Sequence, residues 1–256
     1  MALLDVENLR ISFGGLHAVD GLSTSVRQGQ IKGIIGPNGA GKTTLFNAIA
    51  GIQKLSAGSI RLDGQPIESL QPWQRAGLGI ARTFQNLQIF PELSLIENVM
   101  IGCHPKARAG FCGALLGLPG VRREERAIEE RAHAQLALLG MQDRALSLAG
   151  DLSFGESKLL EIARALAADP KILMLDEPIA GVPAAEQAPV VRMIREINAR
   201  GVTVILVEHN MRMVMGLCDE ILVLRSGRFL AEGTPHEIAS DPEVIGAYLG
   251  EEEAHA

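Results

Sequence analysis

The stretch Gly36-Pro37-Asn38-Gly39-Ala40-Gly41-Lys42-Thr43 decides how the rest of the chain is read. It fits G-x-x-x-x-G-K-[ST], follows the apolar segment Lys32-Gly33-Ile34-Ile35, and opens the helical pattern Thr44-Leu45-Phe46-Asn47-Ala48-Ile49. Strand, glycine-rich loop and helix in that order make a phosphate cradle. Glycines let successive backbone N–H groups turn toward an anion, and the helix N-terminus adds partial positive charge. Lys42 can then bridge the β- and γ-phosphates of ATP, and the Thr43 hydroxyl can ligate Mg²⁺.

Downstream, the apolar run Ile172-Leu173-Met174-Leu175 ends in Asp176-Glu177-Pro178. A carboxylate at the C-terminal end of a parallel strand sits where open α/β sheets bind ligands. Asp176 is the candidate to hold Mg²⁺ through water, and Glu177 the candidate to polarise the attacking water. Val202–Val207 is a second apolar run without alternation, and a helical stretch, Glu186–Ala199, separates the two. Strand, helix, strand at this spacing predicts a βαβ unit in a parallel sheet covered on both faces. Leu3–Ile11, Leu22–Val26 and Gln30–Ile35 read as strands, with an antiparallel edge near the N-terminus. Gly58–Gly64 reads as a short strand, and Ile221–Leu224 with Arg228–Ala231 as a hairpin. Residues 73–140 read as largely helical, interrupted by an apolar, glycine-containing stretch at 109–120. The expected architecture is an α/β phosphate-loop NTPase core with a mixed sheet, an antiparallel β edge and an inserted helical subdomain. It forms a single domain over 1–256, with a core at 1–85 and 161–256 and a helical lobe at about 86–160.

Composition narrows the function. The 256 residues carry a formal charge of −6, which argues against a nucleic-acid partner, since phosphate backbones call for clustered Lys and Arg. Hydrophobic residues make up 47% and aromatics only 4%, so aliphatic packing dominates the core. Cys103, Cys112 and Cys218 are too few and too irregularly spaced for a disulfide framework or zinc site, which fits a reduced, cytoplasmic setting. No apolar run is long enough to span a bilayer, and the acidic N-terminal stretch does not read as a signal peptide. Work at a membrane would therefore pass through a partner.

With the phosphate loop in place, other segments become recognisable. Asp151-Leu152-Ser153-Phe154-Gly155-Glu156-Ser157 resembles the signature motif of the ATP-binding cassette (ABC) superfamily, usually L-S-G-G-Q or L-S-Y-G-Q at a helix start. Thr83-Phe84-Gln85 resembles its Q-loop, Ala180-Gly181-Val182-Pro183 occupies the D-loop position, and Glu208-His209 resembles the switch histidine. The ordered set covers nearly the whole chain. The resemblance implies an ABC ATPase fold and ATP hydrolysis with Mg²⁺. It implies that Phe13 stacks on adenine with Val19 nearby, and that Gly36, Pro37, Asn38, Gly39, Ala40, Gly41, Lys42, Thr43 and Thr44 hold the phosphates. It further implies that Thr43, Gln85 and Asp176 serve the metal. Glu177, His209 and Gln85 would act on the γ-phosphate and its water. Ser153, Gly155 and Glu156 would face nucleotide bound by a second ATPase subunit in a head-to-tail dimer.

A narrower resemblance runs through Phe13–Val19, Arg82–Leu87, Glu92–Asn98, the insertion at 102–125 and the tail 233–250. These segments are similar to the ATPases of high-affinity branched-chain amino-acid importers. Such importers imply a second ATPase, which is either a different chain or a second copy. They also imply two transmembrane permeases, an extracytoplasmic solute-binding protein, and a peripheral position on the cytoplasmic membrane face. The apolar stretch Leu87–Leu93 is the candidate lining of a permease docking groove, or else core of the helical lobe. Two departures from the family pattern stand out. Glu156 replaces the usual Gln, adding negative charge near the partner's nucleotide, and Pro183 replaces the usual Asn or Asp of the D-loop. The alternatives are the ATPase of a lipopolysaccharide-export system, which lacks the insertion and the Phe-Gly-Gly-Leu run, and a non-transport cassette protein of translation or DNA repair.

Overall fold

The computed structural model describes residues 2–83, 87–103 and 119–252, with backbone alone at 119–122 and 249–252. The chain divides into two compact units. Met1–Arg75, Met174–Glu177 and Ile194–Ala256 form the first, and Ala76–Leu173 with Pro178–Met193 the second.

The first unit opens with β1 (Ala2–Phe13) and β2 (Leu16–Arg27), an antiparallel hairpin turned at Gly14 and Gly15. Both turn residues have positive φ, which glycine adopts without a Cβ penalty. β2 begins earlier than Leu22, where the sequence reading started it. Gly21, at φ 70°, looks like a break in one dimension but lies within the strand, where pairing to β1 continues past it. β4 (Ala57–Leu62) and β5 (Gln65–Pro66) extend this sheet in the order β2-β1-β4-β5. In β4, buried Ile60 and Leu62 flank exposed Arg61, the alternation of a sheet with one face packed.

β3 (Ile31–Ile35) lies at the centre of the second sheet, parallel to both β8 (Thr203–Val207) and β9 (Glu220–Arg225). Every residue of β3 and β8 is buried, which explains the apolar run Val204–Val207 in β8, while β3 carries Lys32 and Gly33 among its isoleucines. β10 (Arg228–Gly233) returns antiparallel along β9, as the hairpin reading expects. β7 (Ile172–Asp176) neighbours β8, and its first two residues belong to the second unit.

Two buried cations fasten the first unit. Lys32 Nζ, 1% exposed, donates to Ser25 O at 2.7 Å, Glu220 Oε2 at 2.9 Å and Glu232 Oε1 at 2.5 Å, tying four strands together. Arg75, in α2 (Pro72–Gly77), donates to the carbonyls of Leu70, Ala48, Ile49 and Glu68. It thereby satisfies the C-terminal carbonyls of α1 (Lys42–Ile49), which would otherwise stay unpaired. Burial pulls the Arg75 pKa down, against a smaller opposing pull from Glu68.

In the second unit, Ile80–Arg82 is a strand, β6, and not part of a helical run. Three residues are too few to show a period. What makes them a strand is tertiary: they pair beside β7, and just before them Gly79 O accepts from the Lys171 and Ile172 N–H groups. α3 (Leu95–Ile101) packs on α4 (Pro119–Leu138) and α5 (Phe154–Leu166). Ser94 caps α3 in a reciprocal box with Glu97. Buried Asn98 exchanges hydrogen bonds with the Phe90 N–H and C=O, which fixes the preceding loop. The stretch Leu87–Leu93 is therefore a loop. Phe90 is exposed, with the Arg164 guanidinium 5.8 Å from its ring centre, so it is not core. Most of the interruption at 109–120 and most of the insertion at 102–125 lie outside the described residues.

α6 (Ala184–Ala199) carries Pro189 within it. α7 (Met211–Leu217), α8 (Pro235–Ser240) and α9 (Pro242–Glu252) complete the first unit. No helix among the described residues is long and apolar enough to cross a membrane.

Candidate nucleotide site

The phosphate loop runs from the end of β3 into α1. Its path is set by local bonds: Ala40 N–H donates to Pro37 O at 3.1 Å, and Gly227 N–H to Ala40 O at 3.1 Å. Gly36 and Gly41 have φ of 146° and 94°, and a Cβ on them would fall 2.1 Å from Leu224 O and 2.4 Å from Ala18 O. Neither position admits another residue without moving backbone, so these two glycines fix the loop. Asn38, Gly39 and Thr43 are exposed, Pro37 and Thr44 are half-buried, and Ala40 is buried. The first turn of α1 holds no acidic residue, which leaves its positive end uncompensated. Lys42 Nζ reaches back to Gly36 O at 2.5 Å and Pro37 O at 2.8 Å, so the ammonium lies over the loop.

Asp176 ends β7 and is buried. Glu177 follows with φ 48°, a left-handed conformation costing about 1–3 kcal/mol in a non-glycine residue. Its N–H is held by the carbonyl of Val207, the last residue of β8, at 2.9 Å. From there Glu177 Oε1 lies 2.9 Å from His209 Nε2. The backbone strain thus coincides with a carboxylate aimed at an imidazole.

Glu208 adds a residue that no sequence motif singles out as part of the site. Its carboxylate accepts from the His209 N–H at 2.8 Å and the Asn210 N–H at 3.0 Å, and Asn210 Oδ1 caps α7 through Met213 N–H. Buried Glu208 thus orients the turn that carries His209. The signal available was an acid between an apolar strand and a histidine.

Phe13, about half exposed, closes β1 with its ring free to meet a ligand face. Val19 is fully buried; its Cγ2 faces Gly41, so it backs the loop and offers no open surface. Gln85 lies outside the described residues. The Thr43 hydroxyl and the Asp176 carboxylate are the hard oxygen donors that Mg²⁺ prefers alongside phosphate oxygens. No cluster of three or more His, Cys, Asp or Glu suited to a metal occurs among the described residues, and Mg²⁺ shared with phosphates does not call for one.

In the second unit, Ser153 is the N-cap of α5, as its sequence position predicts. Its Oγ accepts from the Glu156 N–H at 3.2 Å, and the Glu156 carboxylate accepts from the Ser153 N–H at 2.9 Å. The replacement of Gln by Glu at 156 is compensated, because Arg144 donates to Glu156 Oε1 at 2.6 Å. The expected extra negative charge is thus paired within the chain. Glu186 is, like Glu208, a residue that no sequence motif singles out. Ser153 Oγ donates to Glu186 Oε2 at 2.8 Å, and the Gly155 N–H donates to the same oxygen at 3.1 Å. Nothing near it in sequence pointed there, since 33 positions separate it from Ser153.

Comparison with known proteins shows the family. The profile of the family described as ABC transporter matches residues 19–180. That of the family described as branched-chain amino acid ATP-binding cassette transporter matches residues 230–254. The chain is 42% identical over 250 residues to the high-affinity branched-chain amino acid transport ATP-binding protein LivG of Salmonella typhimurium, covering 97% of this chain and 98% of LivG. It is also 42% identical, with the same coverage, to the corresponding protein BraF of Pseudomonas aeruginosa. Its fold superimposes with a TM-score of 0.85 and 35% identity on the ADP conformation of an ATP-binding cassette of an ABC transporter, covering 98% of this chain and 99% of that one. The chain therefore belongs to the ABC transporter family, as one of its ATP-binding, ATP-hydrolysing subunits.

Proposed function

We propose that this subunit powers the import of branched-chain amino acids. Working from the cytoplasmic membrane face, it would act with a second ATPase subunit, two permeases and an extracytoplasmic solute-binding protein. The observation that carries the substrate class is the match of the C-terminal segment 230–254 to the branched-chain amino acid cassette family, alongside near full-length similarity to LivG and BraF. The lipopolysaccharide-export alternative is not favoured by those matches.

In this reading the phosphate loop and Lys42 hold the triphosphate, and Phe13 stacks on the adenine. Thr43, Asp176 and Gln85 hold Mg²⁺, which, when bound, neutralises charge developing on the phosphate oxygens. Glu177 takes the proton of the attacking water, and His209, fixed by the Glu208-anchored turn, holds the Glu177 carboxylate in line. Ser153 and Gly155 reach the γ-phosphate of nucleotide on the partner subunit. The chemistry is positioning and charge stabilisation, which the prearranged N–H groups of the loop suit. The core at 1–85 and 161–256 would carry the nucleotide, and the lobe at about 86–160 would pass the motion to the permeases.

The test is uptake of radiolabelled leucine in cells carrying the transporter with this subunit wild-type or Lys42→Ala. The reading expects uptake with the wild type and none with the variant. Wild-type complex that hydrolyses ATP yet fails to accumulate leucine, isoleucine or valine would sink the substrate assignment.

A further inference from the structure

Two donors of the signature segment are already engaged inside this chain. Ser153 Oγ and the Gly155 N–H converge on one atom, Glu186 Oε2, at 2.8 Å and 3.1 Å. They are the same two groups assigned above to the partner's γ-phosphate, and the inference rests on that assignment. We propose that Glu186 is an internal stand-in for the γ-phosphate: its carboxylate occupies the signature donors until the partner's ATP displaces it.

The chemistry of the contact supports this. A carboxylate oxygen at the N-terminus of a helix satisfies unpaired N–H groups and meets the positive end of the dipole, as a phosphate oxygen does. Glu186 sits in the first turn of α6, where it could serve its own helix, but its side chain crosses to α5. The approach is close enough that a Cβ at position 155 would lie 2.5 Å from Glu186 Oε2, so glycine there admits this carboxylate as well as an incoming anion. The neighbouring acid cannot play the same part, since Glu156 is held by Arg144 and by the Ser153 N–H. A cavity of about 350 Å³, lined by Ser153, Gly155, Glu156, Leu159, Glu186 and Pro189, lies against these donors. It leaves the half-buried Glu186 side chain a way out.

The consequence is a threshold. Two anions cannot share these donors, so the subunits close only when ATP binds strongly enough to expel Glu186. The hydrogen bonds lost to Glu186 are regained by phosphate, and the net cost appears as a raised ATP requirement.

The test uses the assembled transporter and measures the ATP dependence of hydrolysis for wild type, Glu186→Ala, Glu186→Gln and Ser153→Ala, each checked for thermal unfolding. Glu186→Ala is expected to lower the half-saturating ATP concentration roughly three- to tenfold, the scale of one net hydrogen bond. Glu186→Gln keeps a weaker neutral acceptor and is expected to fall in between. It also serves as the informative variant should the alanine variant fold poorly. Ser153→Ala is expected to reduce turnover. If both Glu186 variants leave the half-saturating concentration unchanged or raise it while Ser153→Ala still impairs turnover, the stand-in role is wrong and the signature assignment stands. If Ser153→Ala has no effect, the signature assignment fails, and the stand-in role with it.

Discussion

His209 Nε2 and Glu177 Oε1 lie 2.9 Å apart, on residues that follow neighbouring strands. The carboxylate is largely buried and the imidazole about half exposed, so the pair has one side open to solvent. In the proposed reading Glu177 accepts the proton of the attacking water and His209 keeps the carboxylate in place. Glu177→Gln removes the base and keeps the shape. Nucleotide binding is expected to survive, while turnover falls by at least about 100-fold, the range for loss of a general base. Binding of a fluorescent ATP analogue and steady-state phosphate release check this together. Hydrolysis at the wild-type rate would reject Glu177 as the base.

Pro183 stands where the resemblance to the family's D-loop implies a hydrogen-bonding Asn or Asp. Proline has no N–H, and its ring accepts nothing. Its carbonyl is used within the chain, accepting from the Glu186 N–H at 2.8 Å. If this proline weakens communication across the ATPase pair, Pro183→Asn is expected to raise the ATPase rate or its cooperativity in the assembled transporter. An unchanged rate and Hill coefficient would mean that the D-loop here needs no side-chain donor.

Arg75 is 1% exposed and donates to four carbonyls, two of them at the end of α1. Arg75→Met keeps much of the volume but leaves those carbonyls unpaired. The expected loss is about 3 kcal/mol, the scale for breaking a buried polar network. Denaturant unfolding monitored by far-UV circular dichroism reads it directly. A loss well under 1 kcal/mol would mean that water reaches the freed carbonyls.

Glu220 gives a pH dependence of known sign. Burial pushes its pKa up, but hydrogen bonding and charge from Lys32, with help from Gln30 and Arg27, pull it further down, so the net shift is downward. A carboxylate with a lowered folded-state pKa contributes stability that is complete above the ordinary glutamate range. That contribution is lost as pH falls through the folded value. The stability gap between wild type and Glu220→Gln is therefore expected to be constant above about pH 5 and to shrink on acidification below it. Unfolding curves collected from neutral to acidic pH test this, and a gap that widens toward acid would contradict it.

Much of this molecule is legible in one dimension because local chemistry fixes it. The phosphate loop needs glycine at Gly36 and Gly41, where backbone oxygens approach too closely for any Cβ. β8 announces a sheet covered on both faces by the unalternating apolar run Val204–Val207. Ser153 and Glu156 form a capping box three residues apart, which any reader of helix starts can anticipate. β6 escapes such reading because three residues carry no period, and its place beside β7 in the sheet is what makes it a strand.

The sequence by itself determined the cradle, its lysine, the strand-end acids and the order of motifs, since each depends on neighbours within a few residues. The tertiary structure alone decided what those residues touch at long range. It put Glu177 against His209 across 32 positions, paired Glu156 with Arg144, buried Val19 behind the loop, and brought Glu186 onto Ser153. Hydrogen bonds and ion pairs reach only about 3–4 Å, so which distant side chains form them depends on how the chain has already packed.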